Sequence, residues 1–313
     1  MATFLFLAGG LLLLYFGAEF LVRGGAALAL KLGIAPLIVG LTVVAFGTSA
    51  PEMVVSVSAA VHDAGGIALG NIIGSNICNI ALILGLAAVI RPMKVQVQLV
   101  RLDVPIMIGA SLALVVMLAD GQLGRIDGTL LAAAMATYLW FLISAARRDR
   151  EALAASMEDT VHATRVPTLN AVLMVGAGLA LLVVGGNLFV QGAVALAERL
   201  GMSQRVIGLT IIAVGTSLPE LATSLVASWK GEGDLSIGNV VGSNIFNVLA
   251  ILGVSATVHP LAGAGFTTLD YGAMLLAAAA LLPLAWTGFR ISRWEGGLLL
   301  AGYAVYVAVL IQP

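Results

Sequence analysis

Long stretches without a charged residue dominate this sequence and restrict what it can fold into. Six of them comprise residues 32–51, 64–90, 128–146, 166–197, 235–269 and 296–313. Most of them reach the roughly 20 apolar residues that a membrane-crossing helix needs. The chain carries 15 Lys+Arg and 16 Asp+Glu, whereas a soluble globular chain of this length would carry about 78 charges. A soluble fold is therefore excluded, and the sequence predicts an all-α, polytopic membrane protein.

Charged and Gly/Pro-rich breaks divide the chain into ten predicted transmembrane helices. The predicted spans are residues 3–22, 34–61, 66–90, 100–119, 126–146, 168–197, 204–229, 235–258, 268–288 and 294–312. With the N-terminus outside, twelve of the 15 Lys and Arg residues lie on the inner side, as the positive-inside rule requires. No basic region precedes the first span, so we interpret it as a membrane helix and not as a cleaved signal. We expect a multi-pass protein of the cell's inner (plasma) membrane.

The sequence contains an internal repeat with an offset of 168 residues. GTSAPE at 47–52 aligns with GTSLPE at 215–220, and GNIIGSN at 70–76 aligns with GNVVGSN at 238–244. Around these strings, 19 of 40 aligned positions are identical without a gap. Each half holds five predicted helices, and an odd number makes the second half enter the membrane from the opposite side. Such inverted-topology repeats are typical of secondary transporters, whose substrate site lies between the repeats.

The repeat and the charges define three predicted segments. Eight charged residues lie between the two halves, which favours a solvated tether that also fixes the topology. The segments are a first five-helix repeat, a cytoplasmic linker and a second, inverted five-helix repeat, at residues 1–146, 147–167 and 168–313.

Glu52 and Glu220 are the only ionisable residues in the stretches 33–61 and 206–229. An ionised side chain at such a depth costs at least about 2.5–3.5 kcal/mol on insertion scales. Two protonated carboxyl groups that hold helices together are the structural alternative. Because the two residues occupy equivalent positions of an inverted repeat, we expect them to face one another in a functional site.

The residues before each glutamate predict a break in the helix. Pro51 has no N–H, so the carbonyl of Gly47 loses its helical donor, and Pro219 does the same to Gly215. Freed carbonyls and hydroxyl groups next to a carboxylate make an all-oxygen cluster that suits a hard cation. The hydroxyl groups belong to Thr48, Ser49, Thr216 and Ser217.

The second pair of strings supplies further candidate ligands. Ser75 and Asn79 are four residues apart and share a helix face, and Ser243 and Asn247 repeat the spacing. Close helix packing at the glycines of the same strings, with Asn as an interhelical donor, is the structural alternative. Four other amides are expected to hold broken backbone: Asn71, Asn76, Asn239 and Asn244.

Other functional classes find little support. A net charge of −1 and the single Cys78 provide neither a basic face for nucleic acid nor a disulfide framework. The three histidines lie in predicted loops or at span ends, far in sequence from any Ser or Glu pair, so we expect no enzyme, resident metal or cofactor. Glu19 lies four residues before Arg23 and is expected to pair with it. A cation channel would keep the two carboxylates but does not need two inverted, broken-helix halves.

The paired Gly-Thr-Ser-x-Pro-Glu and Gly-Asn-x-x-Gly-Ser-Asn-Ile strings resemble the α-repeats of the sodium/calcium exchanger family, within the cation/calcium antiporter superfamily. The resemblance covers both halves. It implies ten helices with the second and seventh broken at the centre, and alternating access by movement of the first and sixth against the rest. By motif position it implies calcium coordination by Glu52, Glu220 and the carbonyls of Thr48 and Thr216. It implies sodium sites that add the carbonyls of Ala45 and Ala213 and the side chains of Ser49, Ser75, Asn79, Ser217, Ser243 and Asn247.

One departure from the family concerns Asn247, where members with well-described sodium coupling usually have Asp. The predicted site therefore holds two carboxylates, which neutralise one Ca²⁺ but not three Na⁺. We expect exchange of Ca²⁺ for Na⁺ by a chain that is sufficient as a monomer. Proton-coupled exchange is the alternative, because buried carboxyl groups can take up a proton. The linker is too short for the calcium-sensing insert of animal members, so that regulation is not expected.

Overall fold

The computed structural model describes residues 2–156, 167–199, 213–263 and 266–311. These residues form helices joined by short turns. The helices are Ala2–Leu32 (α1), Pro36–Thr48 (α2), Ala50–Val61 (α3), Gly65–Ile90 (α4), Leu99–Asp120 (α5), Arg125–Ser156 (α6), Thr168–Arg199 (α7), Ala213–Thr216 (α8), Leu218–Lys230 (α9), Gly233–Val258 (α10), Thr268–Trp286 (α11) and Arg293–Ile311 (α12). Four contain a π-helical stretch, at Gly40–Val44, Cys78–Leu84, Leu99–Asp103 and Asn247–Leu252.

The lengths and composition of these helices support a multi-pass membrane protein. Within the described residues, seven helices are long and apolar enough to cross a membrane. An eighth is obtained if α2 and α3, which are bent by 49° relative to each other, form one span. α4 and α10 are more buried than the other long helices. The two central helices are therefore those that carry the Gly-Ser-Asn strings.

Two helices end ten residues beyond their predicted positions. α1 continues to Leu32, ten residues past its predicted end, and within it Glu19 is paired with Arg23 at 2.6 Å. The predicted pairing of the two side chains is thus confirmed. α6 continues to Ser156, into the predicted linker. Most of the remaining linker, and the start of the span predicted at 204, lie outside the described residues.

α1 and α7 pack against each other through glycines. A Cβ on Gly10 would lie 2.6 Å from the Phe189 nitrogen, and one on Gly17 would lie 2.9 Å from the Gly178 oxygen. As residue numbers rise along α1, the facing numbers fall along α7, so the two helices run antiparallel. Gly10 and Gly17 are equivalent, at the offset of 168, to Gly178 and Gly185.

Two short antiparallel strand pairs join the halves. β1 (Met93–Lys94) pairs with β4 (Arg290–Ile291), and β2 (Gln122–Leu123) pairs with β3 (Leu261–Ala262). Adding 168 to β1 gives β3, and adding 168 to β2 gives β4. The repeat offset therefore exchanges one strand pair for the other, and each pair contains one strand from each half.

Candidate cation-binding site

Both GTSxPE strings form the same break between two helices. Ser49 separates α2 from α3 with φ −81° and ψ 10°, and Ser217 separates α8 from α9 with φ −87° and ψ 10°. Pro51 and Pro219 each occupy the second position of the helix after the break, where the missing N–H costs little. The predicted break of both helices is confirmed in the described residues.

Each break supplies a hydroxyl group to the carboxylate of the other half. Ser49 Oγ donates to Glu220 Oε1 at 2.8 Å, and Ser217 Oγ donates to Glu52 Oε1 at 3.0 Å. Ser217 Oγ also lies 3.1 Å from Ser75 Oγ. Glu52 and Glu220 are both only 1% exposed. The two glutamates are therefore buried side chains of one shared, polar interior.

Several oxygen atoms of the predicted site residues are buried and have no hydrogen-bond partner among the described residues. They are Glu52 Oε2, Glu220 Oε2, Asn79 Oδ1, Asn247 Oδ1 and Ser243 Oγ. An unsatisfied buried polar atom costs about 1–3 kcal/mol, and more for a charged group. Carboxylate, amide and hydroxyl oxygens are the ligands that Ca²⁺ takes. The arrangement can bind a hard cation, and a bound cation would remove the cost of leaving these oxygens unpaired.

Asn79 and Asn247 lie on π-helical stretches of α4 and α10. Such stretches often occur at functional sites because they rotate side chains out of the regular helical register. Asn79 Nδ2 donates to Asn244 Oδ1 at 3.0 Å, and Asn247 Nδ2 donates to Asn76 Oδ1 at 2.9 Å. With their nitrogens held in this way, the two amides keep their Oδ1 atoms for another ligand.

The remaining predicted residues are buried or half-buried where the structure describes their side chains. Thr48, Ala45 and Ser243 are buried, and Thr216 is half-buried. Ala213 begins α8, but its side chain lies outside the part of the chain that the structure describes. Hydrogen bonds between the halves join Ser49 to Glu220, Ser217 to Glu52 and Ser217 to Ser75. The binding of a cation by the whole predicted set stays a prediction.

Asp103 is a buried acid that the sequence analysis did not single out. It is 0% exposed, it ends the π-helical stretch of α5, and its Oδ1 accepts a hydrogen bond from Tyr138 Oη at 3.0 Å. Because Asp103 lies near the end of a predicted span, the sequence gives no indication that its side chain is buried. The repeat offset gives no signal either, because it places Tyr271 opposite Asp103.

The chain matches the family described as sodium/calcium exchanger protein over residues 2–144 and 170–312. It belongs to that family. Among its relatives, inner membrane protein YrbG of Escherichia coli strain K12 is 39% identical over 307 residues, which cover 96% of this chain and 94% of YrbG. Sodium/calcium exchanger MaX1 of Methanosarcina acetivorans is 33% identical over 346 residues, 98% of each chain.

Solved structures of the sodium-calcium exchanger NCX_Mj share the fold. The one soaked with 2.5 mM Na⁺ and 0.1 mM Ca²⁺ has a TM-score of 0.86 and 32% sequence identity, and the match covers 100% of this chain and 99% of that chain. Membership of the family confirms the resemblance that the paired motifs carry.

Proposed function

We propose that this protein is a secondary-active antiporter that exchanges Ca²⁺ for Na⁺ by alternating access at one site between its two halves. The observation that carries the proposal is the set of buried, unpartnered oxygens that both halves contribute, among them one carboxylate oxygen each of Glu52 and Glu220. MaX1 is named a sodium/calcium exchanger, and NCX_Mj was soaked with Na⁺ and Ca²⁺. Both names support these two ions as substrates here.

The proposed ligands are the predicted ones. The carboxylates bind Ca²⁺ together with threonine carbonyls, and Na⁺ uses the same groups with serine, asparagine and alanine oxygens. The set is Glu52, Glu220, Thr48, Thr216, Ser49, Ser217, Ser75, Ser243, Asn79, Asn247, Ala45 and Ala213. Because both ions need the two glutamates, occupancy by one excludes the other, and this competition enforces exchange. Two carboxylates neutralise one Ca²⁺ and leave one positive charge with three Na⁺, so a three-for-one exchange is electrogenic.

The proposed architecture is ten transmembrane helices in two inverted five-helix repeats, at 1–146 and 168–313. The antiparallel packing of α1 against α7 supports inversion, because the first helices of two inverted repeats must run in opposite directions. The two strand pairs that exchange at the offset of 168 support it independently. The distribution of Lys and Arg supports an outside N-terminus and a cytoplasmic linker, and the name of YrbG supports the inner membrane.

Proton-coupled exchange is the second candidate. Asn79 and Asn247 give both halves an amide at this position, so the two glutamates are the carboxylates that the proposed site contains. Two protons on Glu52 and Glu220 would neutralise the site as fully as one Ca²⁺ does. The two candidates therefore differ in whether a Na⁺ gradient or a pH gradient drives Ca²⁺ transport.

The test is uptake of ⁴⁵Ca²⁺ into proteoliposomes that contain the purified protein. An imposed Na⁺ gradient is expected to drive uptake, and a pH gradient without Na⁺ is not. Uptake driven by the pH gradient alone supports the proton-coupled candidate. Passive leakage of both ions, with no uptake driven by either gradient, contradicts antiport and favours a channel.

A further inference from the structure

Asn71 is a half-buried amide and Asn239 a buried one, and both lie beside the proposed site. The side-chain oxygen of each already accepts a hydrogen bond and is not available to a cation. Asn71 Nδ2 donates to Ser56 Oγ at 3.1 Å and to the Glu52 carbonyl at 3.4 Å. Asn71 Oδ1 accepts a hydrogen bond from Thr216 Oγ1 at 3.3 Å. The amide is thus bonded through both of its polar atoms, whereas Asn79 and Asn247 each keep an unpartnered Oδ1.

The other half repeats the arrangement. Asn239 Nδ2 donates to Ser224 Oγ at 3.0 Å and to the Glu220 carbonyl at 3.4 Å. Asn239 Oδ1 accepts from Thr48 Oγ1 at 3.0 Å. Each amide therefore joins the helix that carries its own half's glutamate to the helix break of the other half.

These bonds close two loops across the halves. In one loop, Thr216 donates to Asn71, Asn71 donates to the Glu52 carbonyl, and the Glu52 side chain accepts from Ser217, which follows Thr216 in the chain. The equivalent loop contains Thr48, Asn239, Glu220 and Ser49. Each loop fixes the backbone of one glutamate and one of its two carboxylate oxygens. The free Oε2 atom then has little freedom to move.

We propose that Asn71 and Asn239 are positioning residues that set the spacing of Glu52 Oε2 and Glu220 Oε2, and so the preference of the site among divalent cations of different size. This inference rests on the proposed function and deepens it. A cation is discriminated by size only when its ligands cannot adjust to its radius, because a flexible oxygen site accommodates a range of distances. Neither amide contacts the ion, and each acts through the glutamate that it holds.

The experiment compares Asn71→Ala and Asn239→Ala with wild type in ⁴⁵Ca²⁺ uptake, with Sr²⁺ as a larger competitor of the same charge. The KM for Ca²⁺ is expected to rise about tenfold, which corresponds to 1.4 kcal/mol. The Ca²⁺ to Sr²⁺ preference is expected to fall towards one, while Vmax per folded protein changes less than KM. Ser228→Ala is the matched control: Ser228 is a buried residue of α9 that donates to the Ala87 carbonyl at 2.7 Å and belongs to neither loop.

A purely structural role predicts a different result. Such a role lowers the amount of folded protein and the uptake at saturation, with KM and the Sr²⁺ preference unchanged, and that outcome overturns the inference. If Asn239→Ala does not fold, Thr48→Val and Ser224→Ala each remove one bond of the same amide and are expected to shift the preference in the same direction. The double variant Asn239→Ala/Thr48→Val is expected to show the same Ca²⁺ to Sr²⁺ preference as Asn239→Ala alone. Both substitutions break the same loop, so the second adds nothing to the first.

Failure of the proposed function is recognised separately. If wild type shows no exchange under either gradient, the function is wrong, and equilibrium ⁴⁵Ca²⁺ binding to the detergent-solubilised protein still tests positioning. A lower Ca²⁺ affinity with a reduced preference over Sr²⁺ in Asn71→Ala supports the inference. Unchanged affinity and preference in both alanine variants contradict it.

Discussion

Ser49 Oγ donates to Glu220 Oε1 at 2.8 Å, so the helix break of the first half completes the carboxylate of the second. The repeat-equivalent bond from Ser217 to Glu52 connects the helix break of the second half to the carboxylate of the first. Neither half alone therefore contains a complete set of partners for its own glutamate. A movement of one half relative to the other changes the surroundings of both carboxylates at once, which is what a single site with alternating access requires.

Glu52→Gln and Glu220→Gln are each expected to abolish ⁴⁵Ca²⁺ uptake while the protein still folds. Gln keeps the size and the acceptor for the serine hydroxyl but removes one of the two negative charges that a divalent cation needs. Uptake in proteoliposomes measures the loss, and size-exclusion chromatography measures folding. Asp120→Asn, at the exposed C-terminal end of α5, is the control for loss of an acid. Near-normal uptake in either glutamine variant would rule out the site.

Asn247→Asp is expected to change the Na⁺ dependence or the voltage sensitivity of exchange. The substitution adds a third carboxylate, and it removes the amide that donates to Asn76 Oδ1 at 2.9 Å. An ionised Asp would place two acceptors opposite each other, so the Asn76 amide has to reorient. The measurement is uptake at a series of Na⁺ concentrations with the membrane potential clamped by K⁺ and valinomycin. Asn79→Asp, the repeat-equivalent change, is the comparison. If neither the Na⁺ dependence nor the voltage sensitivity changes in Asn247→Asp, the third carboxylate is irrelevant.

The repeat explains why so much of this site can be predicted from the sequence. Glu52 and Glu220 are unusual individually, and their identical neighbourhoods at one offset identify them as a pair. The position of each break follows from Pro51 and Pro219, since proline removes a donor wherever it occurs. These features depend on local chemistry, which a sequence contains directly.

Contacts between the halves cannot be predicted from the local sequence. Asn76 and Asn244 are expected to hold broken backbone, and each does donate to a carbonyl at 3.4 Å, but the carbonyl belongs to the other asparagine of the pair. The π-helical stretch that carries Asn79 lies in a buried part of α4 and is not predicted from the sequence. The burial of Asp103 likewise depends on which helices surround it. Tertiary packing decides all three.

Gly17→Val and Gly178→Val are expected to destabilise the protein by about 1–3 kcal/mol or more, the range for overpacking. A Cβ at Gly178 would lie 2.7 Å from the Leu21 nitrogen, and backbone atoms cannot move aside unless α1 and α7 separate. Thermal unfolding in detergent measures the effect. Gly176→Val is the matched control, because it lies on the same helix with nothing within 4 Å of its Cβ position. Equal stability of Gly178→Val and Gly176→Val would contradict the close packing.

The last prediction concerns the ion pair that joins α1 to α9. Glu19 contacts both Arg23 and Lys230, and its side chain is 12% exposed. The repeat offset places Asn187 opposite Glu19 and His62 opposite Lys230, so the equivalent positions of the other half do not carry the same two charges. We therefore expect this pair to favour one of the two conformations that alternating access between inverted repeats would otherwise make equivalent.

Glu19→Gln and Lys230→Gln are each expected to destabilise the conformation described here, and the double variant is expected to lose less than the sum of the two. A coupling of about 0.5–1 kcal/mol is the upper part of the range for ion pairs near a surface. The measurement is a double-mutant cycle in thermal unfolding, repeated for the KM of Ca²⁺ on each side of the membrane. Arg23→Gln is the control, since Arg23 is 64% exposed and solvent screens its charge. Additive losses, or the same change of KM on both sides, would show that the pair does not distinguish the two conformations.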